Sequence, residues 1–359
     1  MLEAKHCRFL TELPRHIKKL VKLRHLDLTK ELGYVHLPHG IGELTELRTL
    51  PVFHVSGDSS RCSISELGSL HNLRGCLWLS GLESVKTSSK AQEASLKDKH
   101  RLNDLTLQWH NDGIDIEDED EDAEDVADEQ VLEGLEPHAN LQVLTIRGYE
   151  GSRFPAWIQG SSSLPNLVTL TLDSCCNCTE FPAIAHLPSL KSLSVRKMYD
   201  VRWLSSSTDT HGTGSAAAKF PSLELLNLWE MYGLEELFFE ESEGDYCPRL
   251  RKVCISRCPD LKRLPRARSL TELVLHCGQQ LPDISELSSL VSLKIEGFHG
   301  VRSFGLPAAA AALRRIEIRS CKELESVDGL SAALTIVRRI KIAGCPKLVL
   351  PGTSSLQTT

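Results

Sequence analysis

Leu164-Pro165-Asn166-Leu167-Val168-Thr169-Leu170-Thr171-Leu172 and Leu187-Pro188-Ser189-Leu190-Lys191-Ser192-Leu193-Ser194-Val195 are two copies of one phrase, apolar-x-x-Leu-x-x-apolar-x-apolar. In its closing apolar-x-apolar piece, alternation sends both apolar side chains to one side of an extended chain. One copy cannot bury that side alone, so it must stack on a neighbour.

Thirteen such pairs run along the chain: Leu26/Leu28, Leu50/Val52, Leu77/Leu79, Leu105/Leu107, Leu144/Ile146, Leu170/Leu172, Leu193/Val195, Leu226/Leu228, Val253/Ile255, Leu273/Leu275, Leu293/Ile295, Ile316/Ile318 and Ile340/Ile342. They lie 20 to 39 residues apart, mostly 23 to 28, which is the period of a leucine-rich repeat. The expected fold is an α/β solenoid, a leucine-rich-repeat horseshoe of about 13–14 irregular repeats. Its concave wall is a parallel sheet and its convex side holds loops and short helices. Apolar-proline pairs (Leu13-Pro14, Leu37-Pro38, Phe154-Pro155, Phe181-Pro182, Leu264-Pro265, Leu306-Pro307) suit the convex return, because proline cannot donate to a ladder. One domain is expected over 1–350, with an incomplete first repeat at 1–19 and a polar tail at 351–359.

Two stretches break the period. Asp112 to Glu129 holds twelve carboxylates and no Lys or Arg, so an acidic disordered insertion is expected at about 111–130. Ser205 to Lys219 is poor in core formers and reads as a flexible loop. The net charge of −7 comes from that acidic run; the remainder has 36 acids against 41 bases.

Five of the twelve cysteines (Cys7, Cys175, Cys258, Cys321, Cys345) recur three residues after the second strand apolar position. That regularity points to structural thiols beside backbone groups rather than to a disulfide framework. Cys175-Cys176-x-Cys178 lacks the fourth ligand and the spacing of a zinc site, and no metal or cofactor is expected. No apolar run spans a bilayer, and Met1 to Cys7 has no signal-peptide core. There is no His-Glu-x-x-His, Gly-x-Ser-x-Gly or kinase catalytic loop, so the chain is not expected to be an enzyme. Hydrolysis by Cys175 or Cys178 is disfavoured because neither has a paired histidine.

The solvent side of the sheet is left to act. Alternation places Trp78 with Ser80, Thr106 with Gln108, Arg147, Thr171 with Asp173, Arg196, Trp229, Lys294, Arg315, Arg319, Arg339 and Lys341 there. Trp78, Arg147, Arg196, Trp229, Lys294, Arg315, Arg319, Arg339 and Lys341 are the candidate partner contacts, since aromatics and arginine dominate interface hot spots. Leu2, Ala4, Leu10 and Leu13 are expected to lie open at the N-terminal edge. Leu2, Leu10 and Leu13 are therefore candidate contacts for a preceding unit or domain.

Several phrases carry a resemblance. They are Leu73-Arg74-Gly75-x-Leu77-x-Leu79-x-Gly81-Leu82-Glu83-x-Val85, Ala94-x-Leu96-Lys97-Asp98-Lys99-x-x-Leu102-x-x-Leu105-Thr106-Leu107-x-Trp109, and Val131-Leu132-Glu133-Gly134-Leu135-x-Pro137-His138-x-Asn140-Leu141. Gly148-Tyr149-x-Gly151-x-x-Phe154-Pro155-x-Trp157-Ile158 and Phe220-Pro221-Ser222-Leu223-Glu224 continue the set. The chain resembles the leucine-rich-repeat region of plant coiled-coil nucleotide-binding leucine-rich-repeat (NLR, NBS-LRR) disease-resistance proteins. It carries no Gly-x-x-x-x-Gly-Lys-Ser/Thr phosphate loop, so nucleotide binding does not carry over. The resemblance implies a protein-recognition module that binds a pathogen effector or a guarded host protein and restrains a nucleotide-binding domain. It implies a cytoplasmic chain, with the nucleus or the periphery of the plasma membrane as alternatives, and no nucleic-acid partner. The competing reading is an intracellular signalling or ubiquitin-ligase adaptor scaffold.

Overall fold

The computed structural model describes residues 1–4, 7, 10–28, 35–58, 61–110, 121–159, 163–204, 220–237, 247–264, 267–307 and 312–349, with side chains for all but Ala4 and 121–126. The acidic stretch 111–120, the 205–219 segment and the 351–359 tail lie outside these residues. The chain divides into two compact units, Met1–Cys178 with Pro182–Leu190, and Thr179–Phe181 with Lys191–Thr359.

In the first unit, β1 (Leu2–Ala4) pairs in parallel with β2 (Leu26–Leu28), Leu2 opposite Leu26. A parallel sheet then runs through β3 (Val52–His54), β4 (Arg74–Ser80), β5 (Arg101–Gln108), β6 (Val143–Arg147) and β7 (Thr169–Asp173). Short helices fill the returns: α1 (Ile64–Gly68), capped by the Ser63 side chain, α2 (Ser88–Gln92), capped by Thr87, then α3 (Glu121–Gly134) and α4 (Ala156–Gln159). In the second unit the sheet is β8 (Ser192–Arg196), β9 (Leu225–Trp229), β10 (Lys252–Ser256), β11 (Glu272–His276) and β12 (Ser292–Glu296), continuing into β14 (Arg315–Arg319) and β16 (Arg339–Ala343), all parallel. Between those last strands, β13 (Ser303–Gly305) pairs with β15 (Ser326–Asp328) on the return side, and α5 (Leu330–Ala333) precedes β16.

Twelve of the thirteen pairs are 5% exposed or less, although Val52 lies opposite Trp78 rather than in the inward row. Ile340 and Ile342 on β16 are only half-buried. Leu105, Leu144 and Leu170 lie directly opposite one another, as do Leu226, Val253, Leu273, Leu293 and Ile316.

Each strand of these two main sheets from β4 onward, β5 excepted, hands the chain to a residue in the left-handed region. They are Gly81, Gly148, Ser174, Lys197, Glu230, Arg257, Cys277, Gly297, Ser320 and Gly344, with φ between 52° and 77°. The next side chain is thereby driven inward; Tyr149, Cys175, Met198, Met231, Cys258, Phe298 and Cys321 occupy that place and are buried. This explains the cysteine period. Thiols there donate to the strand's last carbonyls, Cys258 to Ser256 at 3.5 Å and Cys321 to Arg319 at 3.3 Å.

Three expectations change. The Leu50/Val52 strand is displaced: β3 begins at Val52, and Phe53, fully buried, pairs with Leu79. Pro51 has no N–H, so the ladder starts after it. The insertion expected to be disordered to residue 130 is a helix from Glu121. Its C-terminal end buries Val131 and Leu132, and Leu135 just beyond it is buried too, a driving force that the adjacent charge run concealed. Glu129 Oε1 also accepts from the Ser152 and Arg153 amides at 3.0 and 3.1 Å. Finally, Leu13 is 7% exposed and does not lie open; Leu2 and Leu10 are half-buried.

Candidate recognition surface

On the first unit's sheet, Trp78 falls in one row with Thr106, Thr145 and Thr171. It is not the bare aromatic that alternation suggests. Its ring is half-buried, and Nε1 donates to Gln108 Oε1 at 2.9 Å. The next row is closed as well. Ser80, Gln108 and Asp173, all placed toward solvent by alternation, are 1%, 2% and 4% exposed. Ser80 Oγ meets His54 Nδ1 at 3.1 Å, and Arg147 Nε lies 3.3 Å from Asp173 Oδ2. Cross-strand partners of matching polarity have sealed these positions, which lowers the worth of Trp78 and Arg147 as contacts.

The second unit differs. Arg196 and Trp229 are register partners at the ends of β8 and β9. The Arg196 guanidinium lies 5.8 Å from the centre of the Trp229 ring, a cation–π pair, and Trp229 remains 48% exposed. Three residues beyond each, past the left-handed turn, stand Tyr199 and Tyr232. Their rings stack at 5.3 Å with 18° between planes, and Tyr232 is 44% exposed. The Gly233 amide donates to the Tyr199 carbonyl at 2.8 Å, holding the two loops together. Arg196 with Trp229, and Tyr199 with Tyr232, thus make two aromatic contacts across the same two successive repeats. Sequence reading missed the tyrosines, although the shared offset Arg196/Tyr199 and Trp229/Tyr232 was its visible signal.

From β10 onward the face becomes a lattice of charge. Lys252 pairs with Glu272 at 2.9 Å, Lys294 with Glu296 at 2.9 Å, and Arg319 with Glu317 at 2.5 Å. The Glu272 hydrogen bond raises the Lys252 pKa, and Lys294 lowers that of Glu296. Burial, followed by the Lys294 charge, lowers the pKa of His276. Lys294 and Arg319 are therefore neutralised from within. Arg315, Arg339 and Lys341 are exposed and have no ion pair among the described residues.

Among the described residues, no group of three or more His, Cys, Asp or Glu gathers as metal ligands would. Cys175 and Cys178 are buried; Cys178 Sγ donates to Gly151 O at 3.1 Å, and burial drives the Cys175 pKa well up. A thiol held neutral is a poor nucleophile. No described helix is long and apolar enough to cross a membrane.

Residues 64–198 match the family model of R13L1/DRL21 leucine-rich repeats. The chain is 36% identical over 262 residues to the putative disease resistance protein RGA4 of Solanum bulbocastanum, covering 72% of this chain and 25% of that one. It is also 36% identical over 234 residues to disease resistance protein RGA2 of the same plant, covering 65% of this chain and 23% of that one. Its repeats are homologous to those of plant disease-resistance proteins of the NLR type. A putative disease resistance RPP13-like protein 1 of Arabidopsis thaliana matches at 32% identity over 213 residues, 58% of this chain and 20% of its own length. The chain spans about a quarter of the length of the first two relatives. These relatives are disease-resistance proteins that carry leucine-rich repeats.

Proposed function

We propose that this chain is the partner-recognition segment of a plant disease-resistance receptor, and that it binds a pathogen effector or a guarded host protein. The observation that carries this reading is the Arg196–Trp229 pair together with the Tyr199–Tyr232 stack on the same two repeats. Leaving a tryptophan and a stacked tyrosine open to water forgoes burial worth about 2 kcal/mol for each ring, a loss a docked partner recovers. Arg, Trp and Tyr are also the residue types that concentrate binding energy. In the same reading, the half-buried Leu2 and Leu10 touch a nucleotide-binding domain and help to hold it inactive. Effector binding would favour the released arrangement to the extent that it binds that arrangement more tightly.

The test is affinity capture from pathogen-challenged leaf tissue, with Trp229→Ala/Tyr232→Ala alongside the parent chain. About half of each ring is already exposed, so the variant should stay folded with only a modest fall in melting temperature from the lost cation–π and stacking contacts. Loss of two hot-spot side chains should weaken the captured effector or host protein by roughly thirtyfold or more. Equal capture by both chains refutes this face as the recognition site.

A further inference from the structure

The ion-pair pattern on the second unit's sheet ends abruptly. Through β10, β11, β12 and the C-terminal end of β14, each lysine or arginine on the face has a carboxylate within salt-bridge distance. At the last two strands the matching stops. Arg315 lies directly opposite Arg339 in the parallel register, and Glu317, already held by Arg319, lies opposite Lys341. Arg338 adjoins them; its amide and that of Arg339 both donate to the Arg314 carbonyl, at 3.0 and 3.1 Å. Arg315, Arg338, Arg339 and Lys341 are all exposed, and none has an ion pair among the described residues. Like charges directly opposite on neighbouring strands are destabilising. The fold gains nothing from placing arginine twice at this position.

We propose that Arg315, Arg339 and Lys341, with Arg338 at their flank, form a docking site for an extended acidic segment of a partner protein. Residues two apart on a strand point the same way and lie about 6.6 Å apart, so Arg339 and Lys341 set a spacing that alternate carboxylates of an extended peptide repeat. Arg315 stands about 4.8 Å to the side, close enough to share a carboxylate with Arg339. A protein segment fits better than a nucleic acid because no aromatic side chain on β14 or β16 offers a base a stacking surface. Ile336, 42% exposed two residues before Arg338, offers an apolar flank that a peptide side chain can cover. This site is separate from the Arg196–Trp229 pair and stands whether or not that pair binds an effector.

The experiment is fluorescence anisotropy of a short labelled peptide alternating glutamate with threonine, titrated with the full chain. Binding should be measurable at low salt and should weaken steeply toward physiological ionic strength, as screening of exposed charges demands. Arg315→Glu/Arg339→Glu, reversed together so that no new cross-strand pair forms, should weaken it about tenfold or more. The same charge change at Lys90 and Lys97 should not, and Trp229→Ala should leave the peptide's affinity unchanged. Absence of peptide binding at low salt, or equal loss at the control lysines, overturns the proposal. Tighter binding of a single-stranded oligonucleotide of equal charge through the same arginines overturns the partner class.

Discussion

Asp128 shows how a residue inside the acidic run acquired a structural task. It is 5% exposed and accepts from the Glu150 amide at 3.3 Å. Burial raises its pKa to about 7, against the opposing pull of that hydrogen bond and of His110. A raised carboxyl pKa means that the folded chain holds the proton more tightly than the unfolded one. The stabilisation is full below the unfolded value near 4 and is lost as pH rises through about 7. An asparagine side chain in its place would stay neutral and keep the amide contact. Asp128→Asn should therefore gain about 2–3 kcal/mol over the parent chain between pH 5 and pH 8, read from urea melts at the two pH values. A pH-independent difference would show that Asp128 is solvated after all. Lys99 is the reverse case: buried, its Nζ donates to the Leu67 and Leu70 carbonyls at the end of α1 and just past it, and burial lowers its pKa to about 8. Neither residue was legible as buried, because composition ranks Asp and Lys with the surface and only the tertiary contacts say otherwise.

At the scale of elements, the strands were readable because a period of two, repeated at a near-constant spacing, has one physical solution. Where reading failed, a second force competed with the pattern. Pro51 removed a ladder donor and displaced β3. In α3, carboxylate density argued for a solvated coil, while Val131, Leu132 and the nearby Leu135 supplied an apolar stripe that docks the helix end. That docking is close: a Cβ on Gly134 would lie 2.5 Å from the Ser88 carbonyl oxygen and 2.8 Å from Ala91 Cβ. Gly134→Ala should push α3 off α2 at a cost of roughly 2 kcal/mol, with faster amide exchange in both helices. Protection unchanged in α2 would mean that the two helices pack less tightly than this geometry requires. The recognition face was legible only as a set of outward positions. Whether Trp78 is tied down by Gln108, or Trp229 left open beside Arg196, depends on neighbours 30 and 33 residues away. No local pattern records such distances.

Over the whole molecule, stability should be a sum of repeat and nearest-neighbour terms, because each apolar pair is buried mainly by the repeats on either side. Two positions of the same repeat pattern separate this from a single shared core. Leu170 is fully buried, with Leu144 directly opposite it. Ile340 is opposite Ile316 but only half-buried. Leu170→Ala should cost about 3 kcal/mol, within the range for a truncated core leucine, whereas Ile340→Ala should cost about 1 kcal/mol because half of the side chain is already hydrated. Amide exchange adds the decisive measurement. In a nearest-neighbour fold, Leu170→Ala should speed exchange most in β6 and β7 and leave β10–β12 near parent rates under native conditions. Exchange raised equally in every strand would show one cooperative core, in which case the repeat boundaries read from the sequence would not be energetic boundaries.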